Sequence, residues 1–355
     1  MQHYYGETGY LELLKSVLVS GARKKERNGL TRKLIGQTLE FNLLDQFPLF
    51  SSKKMYMHGI VAELEMFLNG ICDIRFLWAR GVHIWDLNWL QHRPEDESIG
   101  AYTRIGLFHL VSKMSKSDLF ALVNGRLKDL DPRFFDLGPI YGAQWRGNTA
   151  LRNQTLNRPY NAENIDQLVA VVRSLQAGGS RRDILTANYD DFKHMALPPC
   201  PLLYQFHRED EFVDLTVYQR SADMFLGVPF DVTNFALMLK IVCALTGQNL
   251  TARRLVIMFA DTHIYENHVE AVEEQLKRKE EISERYSQQV DLPTIHTKAS
   301  FEVPHPTYMK YIDAAFMPIA CADNEYSMYL YSFATRITFT VGNYKPLAAI
   351  KAPIS

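Results

Sequence analysis

The chain has 355 residues, with 39 Lys and Arg against 40 Asp and Glu, a formal charge of −1 and 47% apolar residues. That composition excludes disordered and collagen-like classes, and the near-zero charge leaves no electrostatic case for nonspecific nucleic-acid binding. The longest apolar stretch, 235–245, is interrupted by Lys240 and is too short to span a bilayer.

The N-terminal MQHYYGETGY has neither the basic nor the apolar region of a signal peptide, so a cytoplasmic protein is expected. Leu11, Leu14, Val17 and Leu18 recur at helical spacing ahead of Gly21, which predicts an amphipathic helix with a glycine stop. A polar, basic loop follows at 22–29, and helices are expected at 61–68 and 165–175. From Pro201 the pattern turns to strands: 203–206, then Val213, Leu215 and Val217 alternating with Asp214, Thr216 and Tyr218. Residues 234–245 predict an apolar helix and 255–260 a buried strand. A charged helix from Val269 carries Glu273–Lys277 and Glu274–Arg278 pairs. Ile337, Phe339 and Val341 alternate as in a half-buried strand. Two segments read as insertions in a single domain spanning 1–355. One is 91–135, with a helical stretch near 108–130; the other is 286–331, irregular and rich in Pro, His and Tyr. Strands and helices interleave without a βαβ rhythm, so the class is α+β.

Cys72, Cys200, Cys243 and Cys321 are scattered, with no CxxC pair, which argues against a zinc ribbon or a disulfide framework. Three blocks are too dense in polar residues, proline and glycine to be ordinary core. In Leu197-Pro-Pro-Cys200 two prolines rigidify the approach to a thiol, a candidate nucleophile if arginines lower its pKa and otherwise a buried structural cysteine. In 218–231, Gln219, Arg220, Ser221 and Asp223 crowd the end of a strand, with Gly227 and Pro229 forming a turn. Arg220 beside Ser221 suits an anion, because the guanidinium forks onto phosphate oxygens and the hydroxyl adds a donor; a solvated turn is the alternative. In 261–268, His263 and His268 are five apart with no Glu after the first, so HExxH zinc chemistry is not supported and no metal is expected. A hydrogen-bonded pair of His263 with Tyr265 fits better. Arg27, Arg181 and Arg182 add cationic donors.

Taken together the blocks resemble the thymidylate synthase family. The match runs in order through Phe47-Pro-Leu, Glu63-Leu, Ile84-Trp-Asp86, Asp136-Leu-Gly-Pro-Ile-Tyr-Gly142, Gln144-Trp-Arg146, Ser180-Arg-Arg182, Met195-Ala-Leu-Pro-Pro-Cys200, the 219–230 block, Asp261-Thr-His-Ile-Tyr265 and Ile350-Lys-Ala-Pro353. The resemblance implies a three-layer α+β fold with a large mixed sheet, built as a homodimer. It also implies folate-dependent one-carbon transfer to C5 of a pyrimidine nucleotide, with 5,10-methylenetetrahydrofolate as cosubstrate. The Cys200 thiolate would add to C6, and Glu63 with Tyr141 and ordered water would manage protons. Arg27, Arg220 and Ser221 would bind the 5′-phosphate, joined by Arg181 and Arg182 from a second subunit. Gln219 would join the substrate contacts, and His263 and Tyr265 would hold the 3′-hydroxyl. Lys53, Trp85, Asp223, Gly227 and Phe230 would line the folate site beneath the C-terminal tail. A relative that binds nucleotide without catalysis is disfavoured by Cys200, Glu63 and the arginines occurring together.

Members of that family carry Asn where this chain has Asp231. Uracil offers an N3–H donor and an O4 acceptor, which an amide complements. Cytosine inverts both, and a carboxyl can accept from the 4-amino group and share a proton with N3. The expected substrate is therefore dCMP, and phage deoxycytidylate hydroxymethylases carry the same Asp. Pro201 replaces the family's His after the nucleophile, and Glu63-Leu-Glu65 looks like the hydroxymethylase branch. The expected product is 5-hydroxymethyl-dCMP, formed when water quenches the exocyclic methylene intermediate. The alternatives are 5-methyl-dCMP by hydride transfer, which Trp85 and the Ile-Lys-Ala-Pro tail favour, and thymidylate synthesis from dUMP. Modified dCMP would suit a virus that marks its own DNA.

Overall fold

The computed structural model describes residues 2–26, 28–92, 98–99, 101–147, 165–301, 325–330 and 335–353. Its first part holds β1 (Gln2–Tyr5), α1 (Gly6–Ser20), β2 (Ala22–Glu26), β3 (Gly29–Asn42), α2 (Met57–Leu68), α3 (Arg75–Trp78) and α4 (Asp86–Gln91). Then come β4 (Ser98–Ile99), β5 (Tyr102–Thr103), α5 (Arg104–Val111), α6 (Lys116–Asn124), α7 (Tyr141–Arg146) and α8 (Gln167–Gln176). The site-bearing part has β6 (Ile184–Thr186), β7 (Pro201–Glu209), β8 (Phe212–Gln219), β9 (Ala222–Asp223), α9 (Gly227–Leu245) and β10 (Thr251–Tyr265). The chain closes with α10 (Val269–Leu276), α11 (Lys279–Gln288), β11 (Thr294–Phe301), β12 (Glu325–Leu330) and β13 (Thr335–Gly342).

Eight strands form one mixed sheet in the order β1-β3-β10-β8-β7-β6, with β2 on β3 and β9 on β10. The β1–β3, β8–β10 and β9–β10 pairs are parallel and the others antiparallel. Leu11, Leu14 and Val17 of α1 are buried where the helix packs on β3. Helix α9 is long and apolar enough to cross a membrane, yet it is buried inside the molecule, between β8 and β10 on one side and α2 and β11 on another. Helix α2 packs against α9, α7 and β12. The antiparallel sheet β11-β13-β12 thus backs the two helices, and its Met328, Leu330, Ile337, Phe339 and Val341 are buried. Large sheet, helices and small sheet make the three layers.

Several local expectations change. Residues 22–26 are not loop: β2 pairs with β3 as an exposed hairpin, where charged side chains stay solvated on an edge strand. Arg27 lies outside the described residues. Gly227 and Pro229 form no turn but open α9, since a proline in the first turn sacrifices no intrahelical hydrogen bond. The charged helix is two helices, broken at Lys277 and Arg278; there the Arg278 guanidinium reaches the carbonyls of Ser52 and Ala348, each at 2.7 Å. Lys277 pairs with Glu274 at 3.1 Å instead of Glu273. Segment 91–135 contains α5 and α6, and segment 286–331 is not irregular throughout, because it supplies β11 and β12.

The N-terminal end of α1 carries a buried carboxyl. Glu7 accepts from Ser51 N (2.9 Å to both oxygens), Ser52 N (2.7 Å) and the Tyr286 hydroxyl (3.0 Å), fixing the loop that leads to Lys53. Burial raises its pKa, against those hydrogen bonds. Glu7→Ala would strand two buried amide donors and should cost about 2–4 kcal/mol, read as a lower denaturation midpoint.

Candidate active site

The nucleophile loop is fastened from both sides. Cys200 N donates to the Tyr141 hydroxyl at 3.1 Å, and Arg220 N donates to Cys200 O at 2.8 Å. The Arg220 guanidinium gives Nε to Pro199 O (2.9 Å) and Nη2 to Pro198 O (2.8 Å), which leaves further N–H groups for an anion. The sequence made this thiol a candidate nucleophile on the condition that arginines lower its pKa. Burial outweighs the pull of Arg220, and with Asp231 and Asp223 adding to the rise, Cys200 is pushed up to about 11. The resting nucleophile is a thiol.

Two carboxyls stand near it. Glu63 of α2 accepts from Trp85 Nε1 (2.7 Å) and Asn234 Nδ2 (3.4 Å). Burial pushes it up to about 7; Trp85 opposes that, and the neighbouring Asp231 adds to it. Asp231 of α9 accepts from Gln219 Nε2 at 2.8 Å, and burial pushes it too up to about 7, against Gln219. Gln219 Nε2 also donates to Ser221 O (3.1 Å), while its buried Oε1 has no hydrogen-bond partner among the described residues. Asn234, which no motif singled out, lies three residues beyond Asp231 and so on the same helical face. A polar pair at that spacing in an apolar helix was the available signal. Trp85 and Tyr141 pack edge to face, and Tyr141 stacks on Phe67 at 4.7 Å between ring centroids.

Asp223 closes the turn that leads into α9 by accepting from Phe225 N (3.0 Å) and Leu226 N (3.2 Å). A Cβ on Gly227 would sit 3.5 Å from Asp223 and 3.8 Å from the Asp231 carboxylate, ordinary contact distances that place this backbone between the two carboxyls. Lys53 is buried, at the turn that carries Asp223. Its ammonium bonds Phe225 O and lies over the Phe225 ring, and burial lowers it to about 8. Phe230 is half-buried against the core. His268 is fully buried and joins Pro353 O of the tail at 2.7 Å, with its other ring nitrogen 3.9 Å from Asp223.

The partner of His263 is Asp261 (Nδ1 to Oδ1, 3.0 Å), whereas Tyr265 meets it only ring edge to face at 5.2 Å. Arg181 and Arg182 are exposed and do not join this cluster. Their loop is tied to β7 through Gln205 Nε2 to Arg181 O (3.1 Å) and Phe206 N to Asp183 O (2.9 Å). That point is five residues, about 17 Å, along the strand from Pro201. Glu65 also stands apart. Two residues from Glu63, it points to another face of α2 and is locked in a buried pair with Arg80 at 3.2 Å. Among the described residues no group of three His, Cys, Asp or Glu is placed to hold a metal.

The profile describing thymidylate synthase matches residues 8–304. The chain belongs to the thymidylate synthase family. It is 34% identical over 276 residues to thymidylate synthase 1/2 of Encephalitozoon cuniculi (strain GB-M1), which covers 77% of this chain and 82% of that protein. It is 33% identical over 281 residues to the thymidylate synthase of Herpesvirus ateles, 78% of this chain and 86% of that protein. A bifunctional dihydrofolate reductase-thymidylate synthase of Paramecium tetraurelia is 34% identical over 275 residues, and the match spans 52% of its length. As a member of the family the protein is a one-carbon transferase that uses 5,10-methylenetetrahydrofolate as cosubstrate and a pyrimidine nucleotide as acceptor.

Because burial holds both carboxyls above their ordinary values of 4.5 and 3.8, the stability linked to them is complete at low pH and is lost as pH rises through about 7. A Glu63→Gln, Asp231→Asn double variant should therefore show a flatter fall in melting temperature between about pH 5 and pH 8 than the parent, measured by thermal denaturation.

Proposed function

We propose that the enzyme methylates C5 of dCMP reductively. The observation that carries the base is the Asp231 carboxyl, held by Gln219 on the helix face it shares with the Glu63 partner Asn234. With one proton between them, carried by either Oδ or N3, this carboxyl and cytosine are complementary, and at about 7 the carboxyl's pKa keeps that proton available near neutrality. The carboxyl accepts from the 4-amino group, and the one proton is shared between Oδ and N3. Uracil is complemented only by the neutral form, since an ionised carboxylate would face O4 without a donor.

Folate, when bound, supplies the one-carbon unit and the hydride. Cys200 adds to C6 after losing its proton, with the Arg220 charge favouring the developing thiolate. Glu63, poised near neutrality, takes and returns protons around the base, with Trp85 and Asn234 holding its orientation. Tyr141, donor to neither carboxyl, braces the Cys200 amide. Two features support hydride over water as the terminating step. Glu65, one reason to expect hydroxymethylation, is engaged by Arg80. Trp85 and the tail are both packed in: Leu347 N bonds Ser51 O (2.8 Å) and Pro353 reaches His268 beside Asp223. A site closed in this way excludes the water that hydroxymethylation consumes.

The relatives named above favour a second reading, thymidylate synthesis from dUMP. The assembly belongs to the proposal as well. Tyr218 and Met258, paired in register on the large sheet, are 42% and 36% exposed, a surface suited to a second copy. Arg181 and Arg182, too far from their own Cys200, would complete the phosphate site of that copy.

The test is incubation with methylenetetrahydrofolate and dCMP or dUMP, with product mass and dihydrofolate absorbance as readouts. Methylated dCMP with dihydrofolate is expected. Hydroxymethylated dCMP without it would restore the water-quenched product, and turnover of dUMP alone would overturn the Asp231 argument. Asp231→Asn should shift kcat/KM towards dUMP by at least about tenfold, and Cys200→Ala should abolish turnover while sparing nucleotide binding.

A further inference from the structure

Strands β3 and β10 carry a charged chain that the reaction itself does not use. Asp261 and His263 are two residues apart on β10 and so share a face of the strand. Lys33 lies opposite His263 in the β3–β10 register. Its ammonium donates to Asp261 Oδ2 at 2.8 Å and also reaches Glu26 Oε1 at 3.3 Å, at the end of β2. Asp261 Oδ1 takes His263 Nδ1 at 3.0 Å. Burial would raise the Asp261 carboxyl, but its bonds to His263 and Lys33 hold it below the usual carboxylate range.

The chemistry of these contacts fixes the direction of the ring. A carboxylate only accepts, so the Nδ1 facing Asp261 carries the proton, and in the neutral imidazole Nε2 is then a lone pair. Tyr265 packs across the ring and limits its rotation. His263 has no other hydrogen-bond partner among the described residues, so Nε2 is left to accept from a ligand hydroxyl. We propose that Lys33 and Asp261 are positioning residues that hold His263 as the acceptor for the nucleotide's 3′-hydroxyl. Lys33 does more than steady Asp261. Through Glu26 it also ties β10 to the end of the β2 strand. This rests on the nucleotide-binding reading above and holds for either base.

The test compares binding of dCMP and dUMP with their 3′-deoxy counterparts by calorimetry, using the full chain. The parent should prefer the 3′-hydroxyl compound by about tenfold, the size of one well-placed hydrogen bond. Asp261→Ala should reduce that preference to within about twofold, and Lys33→Met should reduce it at least about threefold. Asp261→Asn, whose amide oxygen still accepts from Nδ1, should retain it. In Asp261→Ala and Lys33→Met the KM for the nucleotide should rise while kcat at saturation stays within about twofold of the parent, and Asp261→Asn should match the parent in both. A preference undiminished in Asp261→Ala and Lys33→Met would overturn the relay while leaving the functional reading intact. Failure of the parent to bind either nucleotide would instead overturn the functional reading, and the relay with it. Should Asp261→Ala not fold, the partly exposed Lys33→Met carries the test.

Discussion

Cys200, Glu63 and Asp231 share a pocket dry enough that burial is the largest influence on the ionisation of each. The two carboxyls end near neutrality, where a group exchanges protons most readily in both directions, and the thiol ends far from ionised. Their neighbours then act as corrections to burial: Trp85 and Asn234 on Glu63, Gln219 on Asp231, Arg220 on Cys200. The same dryness is a standing cost to stability, since none of the three charges is comfortable in the folded state. Such a cost is characteristic of places where a fold serves chemistry.

Rigidity around the pocket comes from groups that never face it. The Pro-Pro-Cys loop is held by main-chain and guanidinium bonds from Arg220. The 51–53 loop is held by Glu7 from one side and gives its carbonyls to Leu347 and Arg278 on the other. The tail therefore rests on a loop that is itself pinned by the first helix. Tyr10 of the first helix and Pro353 of the tail both approach the Asp223 turn, the one through Met224 O and the other through His268.

What was legible in the sequence was contiguous. The Pro-Pro-Cys loop, the Gln219–Asp231 block and the strand ahead of Asp261 each carry their chemistry within a few residues, although the turn expected at Gly227 and Pro229 is the start of α9. Contacts across the chain were not legible. Trp85 is 22 residues from Glu63, and Asn234 is 171. The contacts of Lys53 with Phe225 O and the Phe225 ring lie 172 residues along the chain and were equally hidden. For the partner of His263, Tyr265 was two residues ahead and Asp261 two behind. The carboxylate prevails because it accepts a hydrogen bond from the ring, while the phenol only packs on it. The basic run at 22–26 lacks the apolar alternation of a strand because it forms an edge, where charge is an asset.

The small sheet has a consequence for how the enzyme comes into being. It packs on the backs of α2 and α9, the helices that deliver Glu63 and Asp231, yet β12 and β13 come last among the described strands and lie beyond the stretch that matches the family profile. On the ribosome both carboxyl-bearing helices emerge long before the surface that backs them. Until then their apolar faces are open to chaperones and to other chains. The nascent protein thus carries every residue of its chemistry well before it has the dry pocket in which those residues can work.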